Sequence, residues 1–106
     1  MKSAAKIFRA LADPTRRQVL EELKDGQLAA GEIASRFDIS GPSISRHLSL
    51  LEAADLVTVR REGNRLLYQL QPESLVSALN GFLSAVCPTQ IVQRKKQARR
   101  KKAVKA

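Results

Sequence analysis

Ser45, Arg46 and Ser49, with Pro42 just ahead of them, share one face of a short helical stretch. At about 100° per residue that face lies opposite an apolar stripe of Ile44, Leu48 and Leu51. A helix face that meets only water ordinarily carries long Glu and Lys side chains. Short hydroxyls around a single arginine let the helix approach another surface closely. They can donate to phosphate oxygens, and the arginine offers a forked cation to a base edge. The DNA major groove is the surface that fits, and the competing reading is a two-helix hairpin with a serine-rich outer face.

A second basic cluster follows at once. Val57-Thr58-Val59-Arg60-Arg61 alternates β-branched and polar residues, and Arg65-Leu66-Leu67-Tyr68-Gln69-Leu70 reads as another strand. Glu62-Gly63-Asn64 lies between them, with the Gly-Asn pair suited to the positive φ of a hairpin turn. The tip therefore carries Arg60, Arg61 and Arg65, with Asn64 as a further donor. Charged tips also occur simply for solubility. A basic hairpin directly after a small-residue helix face reads instead as a wing that tracks phosphates or enters the minor groove. The expected DNA contacts are Ser40, Gly41, Pro42, Ser43, Ser45, Arg46, His47 and Ser49 from the helix and its entry. The hairpin adds Arg60, Arg61, Asn64 and Arg65.

The elements that must position these groups are legible as periodicity. Ala30, Ile33, Ala34 and Phe37 recur at helical spacing, Asp38-Ile39-Ser40-Gly41 interrupts, and Pro42 suits the first turn of the next helix. Upstream, Asp13 is a good N-cap, Pro14 a good first helical residue and Gly26 a good stop, with Val19, Leu20 and Leu23 as the buried stripe. Arg16 and Arg17 on that helix are expected on a solvated face or in an ion pair, with a phosphate contact as the alternative. Gln71-Pro72 opens a last helix whose Leu75, Val76, Leu79, Phe82, Leu83 and Val86 form a wide stripe ended by Pro88. With Ile7, Phe8 and Leu11 from the first helix, this stripe exceeds what the small core can cover. A partner chain is expected to cover it, the alternative being that the helix folds back on its own domain. The fold class is thus mostly α with a small β-hairpin, a winged helix-turn-helix dimerised through its N- and C-terminal helices.

Composition bounds the rest. At 106 residues there is room for one modest core. Residues 1–88 read as the DNA-binding and dimerisation domain, and residues 89–106 as a basic tail expected to be disordered. Residues 94–106 hold eight of the nineteen Lys and Arg and no acid, so the net +9 belongs mostly to the tail and the body is close to neutral. A like-charge block of this kind suits sequence-independent phosphate binding or a solubility tail. No run of eighteen apolar residues occurs, so no membrane span is expected. Met1-Lys2-Ser3-Ala4-Ala5-Lys6 leads into an amphipathic helix rather than a secretory segment. The single Cys87 cannot form an internal disulfide, which fits a cytoplasmic protein, associated with the nucleoid when bound to DNA.

Several blocks in order resemble the ArsR/SmtB family of bacterial winged-helix repressors, over roughly residues 4–86. They are Ala10-Leu11-Ala12-Asp13-Pro14-Thr15-Arg16-Arg17, Gly31-Glu32-Ile33-Ala34, Ser43-Ile44-Ser45-Arg46-His47-Leu48 and Arg61-Glu62-Gly63-Asn64-Arg65 with Tyr68. The chain looks most similar to the autorepressor-type, non-metal branch. The resemblance implies a homodimer, joined by first and last helices, that occupies an operator. Metal-sensing members place paired cysteines before the recognition helix or Asp and His ligands along the last helix. Here those positions read Ala29-Ala30-Gly31-Glu32, and residues 72–86 hold no His or Asp. Soft metals need several thiolates or imidazoles, and the chain has only Cys87 and His47, so no metal and no cofactor are expected. His47 is expected to position the recognition helix or touch phosphate rather than sense pH, and Cys87 to be inert rather than a redox switch.

Other classes fit less well. No Gly-rich phosphate loop, paired carboxylates or nucleophile–base set marks an enzyme. The rival is a basic RNA- or ribosome-associated winged-helix protein, which exposed aromatics would favour. Only Phe8, Phe37, Phe82 and Tyr68 are aromatic, and the three phenylalanines fall on apolar stripes. A sequence-specific duplex-DNA-binding repressor acting as a homodimer on an inverted repeat is the reading these residues favour.

Overall fold

The computed structural model describes residues 4–87, in two compact units divided between Leu75 and Val76. The element order is α1 (Ala4–Leu11), α2 (Pro14–Glu22), β1 (Leu28–Ala29), α3 (Ala30–Ser35), α4 (Gly41–Ala53), β2 (Val57–Glu62), β3 (Arg65–Leu70) and α5 (Pro72–Val86). Among the described residues no helix is long and apolar enough to cross a membrane. The basic tail, residues 89–106, lies outside the described residues.

In the first unit α1, α2 and α4 pack on one another, and α3 packs on α4 and β3. Val19, Leu23, Ile33, Leu48, Leu51, Leu56 and Val57 form the centre of the core. The helix–turn–helix and hairpin thus form as the periodicity predicts, with two differences. The hairpin is part of a three-stranded antiparallel sheet ordered β1-β3-β2, because Leu28 and Ala29 pair with Tyr68 and Leu67. Two residues are too few to show a strand period in the sequence. The second difference is Ile7, which is buried in its own unit and adds nothing to a surplus apolar surface.

Caps fix the ends of the two helices that matter most. Asp13 is extended at the N-cap of α2 and its Oδ2 accepts the Arg16 N–H at 3.1 Å, with Pro14 at the first position. The C-terminus of α4 closes as a Schellman motif. Leu56 N–H donates to Leu51 O at 3.0 Å and Asp55 N–H to Glu52 O at 2.9 Å. This turn puts Asp55 at φ 65°, the left-handed region where glycine is usual. The closure sends Leu56 and Val57 straight into the core and starts β2 where the hairpin must begin.

The second unit carries α5 from Val76 onward. No residue of α5 is buried. Val76, Leu79, Leu83 and Val86 are 54%, 38%, 44% and 60% exposed, spaced three, four and three residues apart. That is the spacing of a helix-pairing seam.

Candidate nucleic-acid interface

The recognition helix α4 begins at a polar cap. Ser40 is extended (φ −67°, ψ 154°), and its Oγ accepts the Ser43 N–H at 3.3 Å while donating to Ser43 Oγ at 3.0 Å. Ser40 and Ser43 therefore spend part of their hydrogen-bonding capacity on starting the helix. Ile44, Leu48 and Leu51 are buried and anchor the opposite face. Gly41, Pro42, Ser43, Ser45, Arg46 and Ser49 are all exposed, so the small polar row stands on the surface as one continuous strip. Arg46 is the one long side chain in it.

His47 stands apart from that strip. Its side chain is only 18% exposed, and Nδ1 lies 3.3 Å from Arg16 Nη1 and 3.9 Å from Asp13 Oδ2. Of its two expected roles, this geometry supports positioning: the ring ties α4 to the start of α2.

Arg16 and Arg17 also find backbone partners that the sequence did not suggest. Arg16 Nε donates to Ala10 O at 2.7 Å and Nη2 to Arg9 O at 3.0 Å, and Arg17 Nη1 donates to Leu11 O at 2.7 Å. The last carbonyls of a helix lack intrahelical partners and carry partial negative charge. The short Ala12-Asp13 link brings the first turn of α2 beneath them, so the two guanidinium groups cap α1, Arg17 from an exposed position and Arg16 close enough for its charge to act on Asp13.

The wing carries four of the expected contacts, all exposed. Gly63 alone of the turn pair takes a positive φ, 62°, as a type II′ turn asks of its first central residue. Register sends the arginines to two faces. Arg60 pairs with Leu67 and Glu62 with Arg65 on one face, and Arg61 with Leu66 on the other. On the first face the cations are already engaged. Arg60 Nη1 donates to Glu62 Oε2 at 2.7 Å and Nη2 to Gln27 Oε1 at 3.3 Å. Arg65 Nη2 donates to Glu32 Oε1 at 3.0 Å. Arg61 and Asn64 are held by no such bond among the described residues. Sequence reading missed these clamps because Glu32 and Gln27 lie far from the hairpin in the chain.

One further pair braces the frame. Arg36 Nη1 and Glu22 Oε1, 2.7 Å apart, join the ends of α3 and α2. Tyr68 is buried behind the wing, where desolvation and then the Glu52 charge push its phenol above the ordinary value. Asp13 is held below the usual carboxylate value, chiefly by the Arg16 N–H bond, with burial opposing and His47 and Arg16 charges adding to the lowering.

A family model described as a helix-turn-helix domain matches residues 11–60, which spans α2, α3, α4 and the start of the wing. The transcriptional repressor SdpR of Bacillus subtilis is 41% identical over 80 residues, 76% of this chain and 89% of that protein. The chain belongs to the ArsR family of winged helix-turn-helix transcription regulators. The arsenical resistance operon repressor of Staphylococcus xylosus is 38% identical over 74 residues, 70% of this chain and 71% of that one. Among solved structures, an ArsR family transcriptional regulator superposes with a TM-score of 0.72 at 31% identity, covering 80% of this chain and 91% of that chain. These relatives are transcription regulators, not enzymes. This ArsR-family chain is accordingly a DNA-binding repressor.

Proposed function

We propose that this ArsR-family repressor acts as a homodimer on an inverted-repeat operator, in the cytoplasm and on the nucleoid, without sensing a metal. The observation that carries the DNA-facing half is the exposed strip of Ser43, Ser45, Arg46 and Ser49 on α4, backed by a fully buried anchor row. In this reading Ser40, Gly41, Pro42 and Ser43 bring the helix entry to the phosphates, and Arg46 reads a guanine edge. Arg60, Arg61, Asn64 and Arg65 follow the adjacent backbone.

The dimer reading is supported by the exposed seam of Val76, Leu79, Leu83 and Val86 on α5. A two-fold axis through such helices places two recognition helices on one side of the duplex, about 34–36 Å apart for successive major grooves. The reading without metal rests on donor chemistry. His47 and Cys87 are the chain's only imidazole and thiol, and His47 is engaged by Arg16. One relative is named as an arsenical resistance operon repressor, but a thiolate cluster needs more than the one cysteine this chain has.

Selection of bound fragments from random duplex DNA, with stoichiometry measured on the winner, tests this proposal. Two chains on a palindromic site is the expected result. One chain on an asymmetric half-site refutes the dimer, and structured RNA outcompeting duplex DNA would favour the RNA-binding alternative.

A further inference from the structure

We propose that the recess between α1 and the end of α4 is a binding site for a small organic monocarboxylate whose apolar body is the size of a single ring. The recess measures about 120 Å³ and is partly open to solvent. Its apolar lining is Ala10 of α1, which is buried, with Leu50 and Ala53 of α4, which are both exposed. Leu50 is 42% exposed in spite of its size, and Ala53 stands one turn further along the same side of the helix. Lys6, Arg9 and Arg16 add three cations to the lining, and no acidic residue belongs to it. None of these residues is part of the polar strip or the wing, so the site stands independently of the operator reading.

Size and charge select the occupant. Arg16 is already engaged, with Nε on Ala10 O and Nη2 on Arg9 O. The Lys6 and Arg9 side chains are exposed and make no hydrogen bond or ion pair among the described residues. They stand three positions apart on α1, close enough for like charges to repel, and α1 holds no acid to offset them. An anion beside them relieves that repulsion and gains charge-assisted hydrogen bonds from both. A bare phosphate satisfies the same cations but leaves Leu50 and Ala53 facing water, so the apolar lining is what selects a carbon body. A cavity of roughly 150 Å³ holds benzene. A recess of about 120 Å³ with an open side therefore takes one ring or a short branched chain, with the carboxylate turned toward Lys6 and Arg9. A second carboxylate on the ligand would bury its charge against Ala10 and Leu50 without a partner, which excludes compact dicarboxylates.

Benzoate titrated into the full chain at constant ionic strength, followed by amide and methyl NMR shifts, tests this. Binding should saturate with a Kd of about 1 mM or tighter, ordinary for a ligand of about ten non-hydrogen atoms. The resonances of Ala10, Leu50 and Ala53 should move together. Benzamide, the same shape without the charge, should bind about fivefold or more weakly, since each screened cation is worth up to about fivefold. Phosphate and acetate, charged but without the ring, should bind more weakly still. Lys6→Gln combined with Arg9→Gln should weaken benzoate by about fivefold or more. Ala53→Leu fills the recess from an exposed helix position and should cost about tenfold, with the unliganded thermal midpoint near wild type in both variants. Benzamide or phosphate binding as tightly as benzoate, no saturation up to about 10 mM, or Ala53→Leu leaving affinity unchanged overturns the proposal. A short random duplex that displaces benzoate, and loses affinity in the double variant, assigns these cations to nucleic acid and overturns it too. None of these measurements uses an operator, so their failure leaves the operator reading in place.

Discussion

Replacing Arg16 by alanine separates a helix-capping arginine from a phosphate-binding one. The guanidinium donates to Ala10 O at 2.7 Å and Arg9 O at 3.0 Å, and lies 3.3 Å from His47 Nδ1. A hydrogen bond to a charged group is worth about 1.5–3 kcal/mol when well shielded. Arg16 is only partly buried, so about 1 kcal/mol for each carbonyl and about half that for His47 is appropriate, or about 2–3 kcal/mol together. In a domain of this size that lowers the thermal midpoint by about 10–20 °C. Arg16→Lys keeps the charge but loses the fork, and should fall between alanine and wild type. Arg17→Ala removes one exposed bond to Leu11 O and should cost less than about 1 kcal/mol. Thermal melts followed by circular dichroism, paired with salt-dependent binding to random duplex, give the answer. An Arg16→Ala protein that melts within about 2 °C of wild type, yet loses about 0.9 in salt slope, would be a lost phosphate contact and would refute the capping account.

Other expectations follow from particular residues. Arg46→Ala should cost about 1–3 kcal/mol on the operator and relax one position, whereas equal loss on random DNA would make it a phosphate contact. Asp55→Gly relieves the left-handed backbone at the end of α4 and should stabilise by about 0.5–1 kcal/mol in a denaturant titration, since glycine suits that position best. Because Asp13 is held below 3.8, its contribution is whole above that value and fades as pH falls through the lower folded one. An acid titration of stability should show this loss, and Asp13→Asn, a good cap that does not titrate, should lack it. Zinc, cadmium or arsenite should leave operator affinity within about threefold, because release of a repressor normally needs about 1–3 kcal/mol of coupling. Tight stoichiometric metal with loss of DNA binding would defeat the proposal that no metal is sensed. Leu79→Glu together with Leu83→Glu should lower the association state in ultracentrifugation, and an unchanged dimer would place the interface elsewhere.

The recognition helix was legible from the chain alone because everything that defines it is local. Ile44, Leu48 and Leu51 repeat at the helical period, Ser40 and Pro42 mark the entry, and the polar row is then forced to the opposite side. The same holds for the Asp13-Pro14 start of α2 and for the Gly63 turn of the wing. What the chain could not show is where its long side chains end. Arg65 and Glu32 are 33 positions apart, as are Arg60 and Gln27, and Arg16 and His47 are 31 apart. A flexible guanidinium finds whichever acceptor the packing of helices and sheet brings within reach, and no local period records that choice. The two-residue strand β1 owes its existence to the same cause, since only the packing of α3 beside the hairpin lays Leu28 and Ala29 against β3. Local periodicity therefore determined the elements and the polar face proposed to meet DNA. Tertiary packing decided which arginines are already spent in holding the protein together.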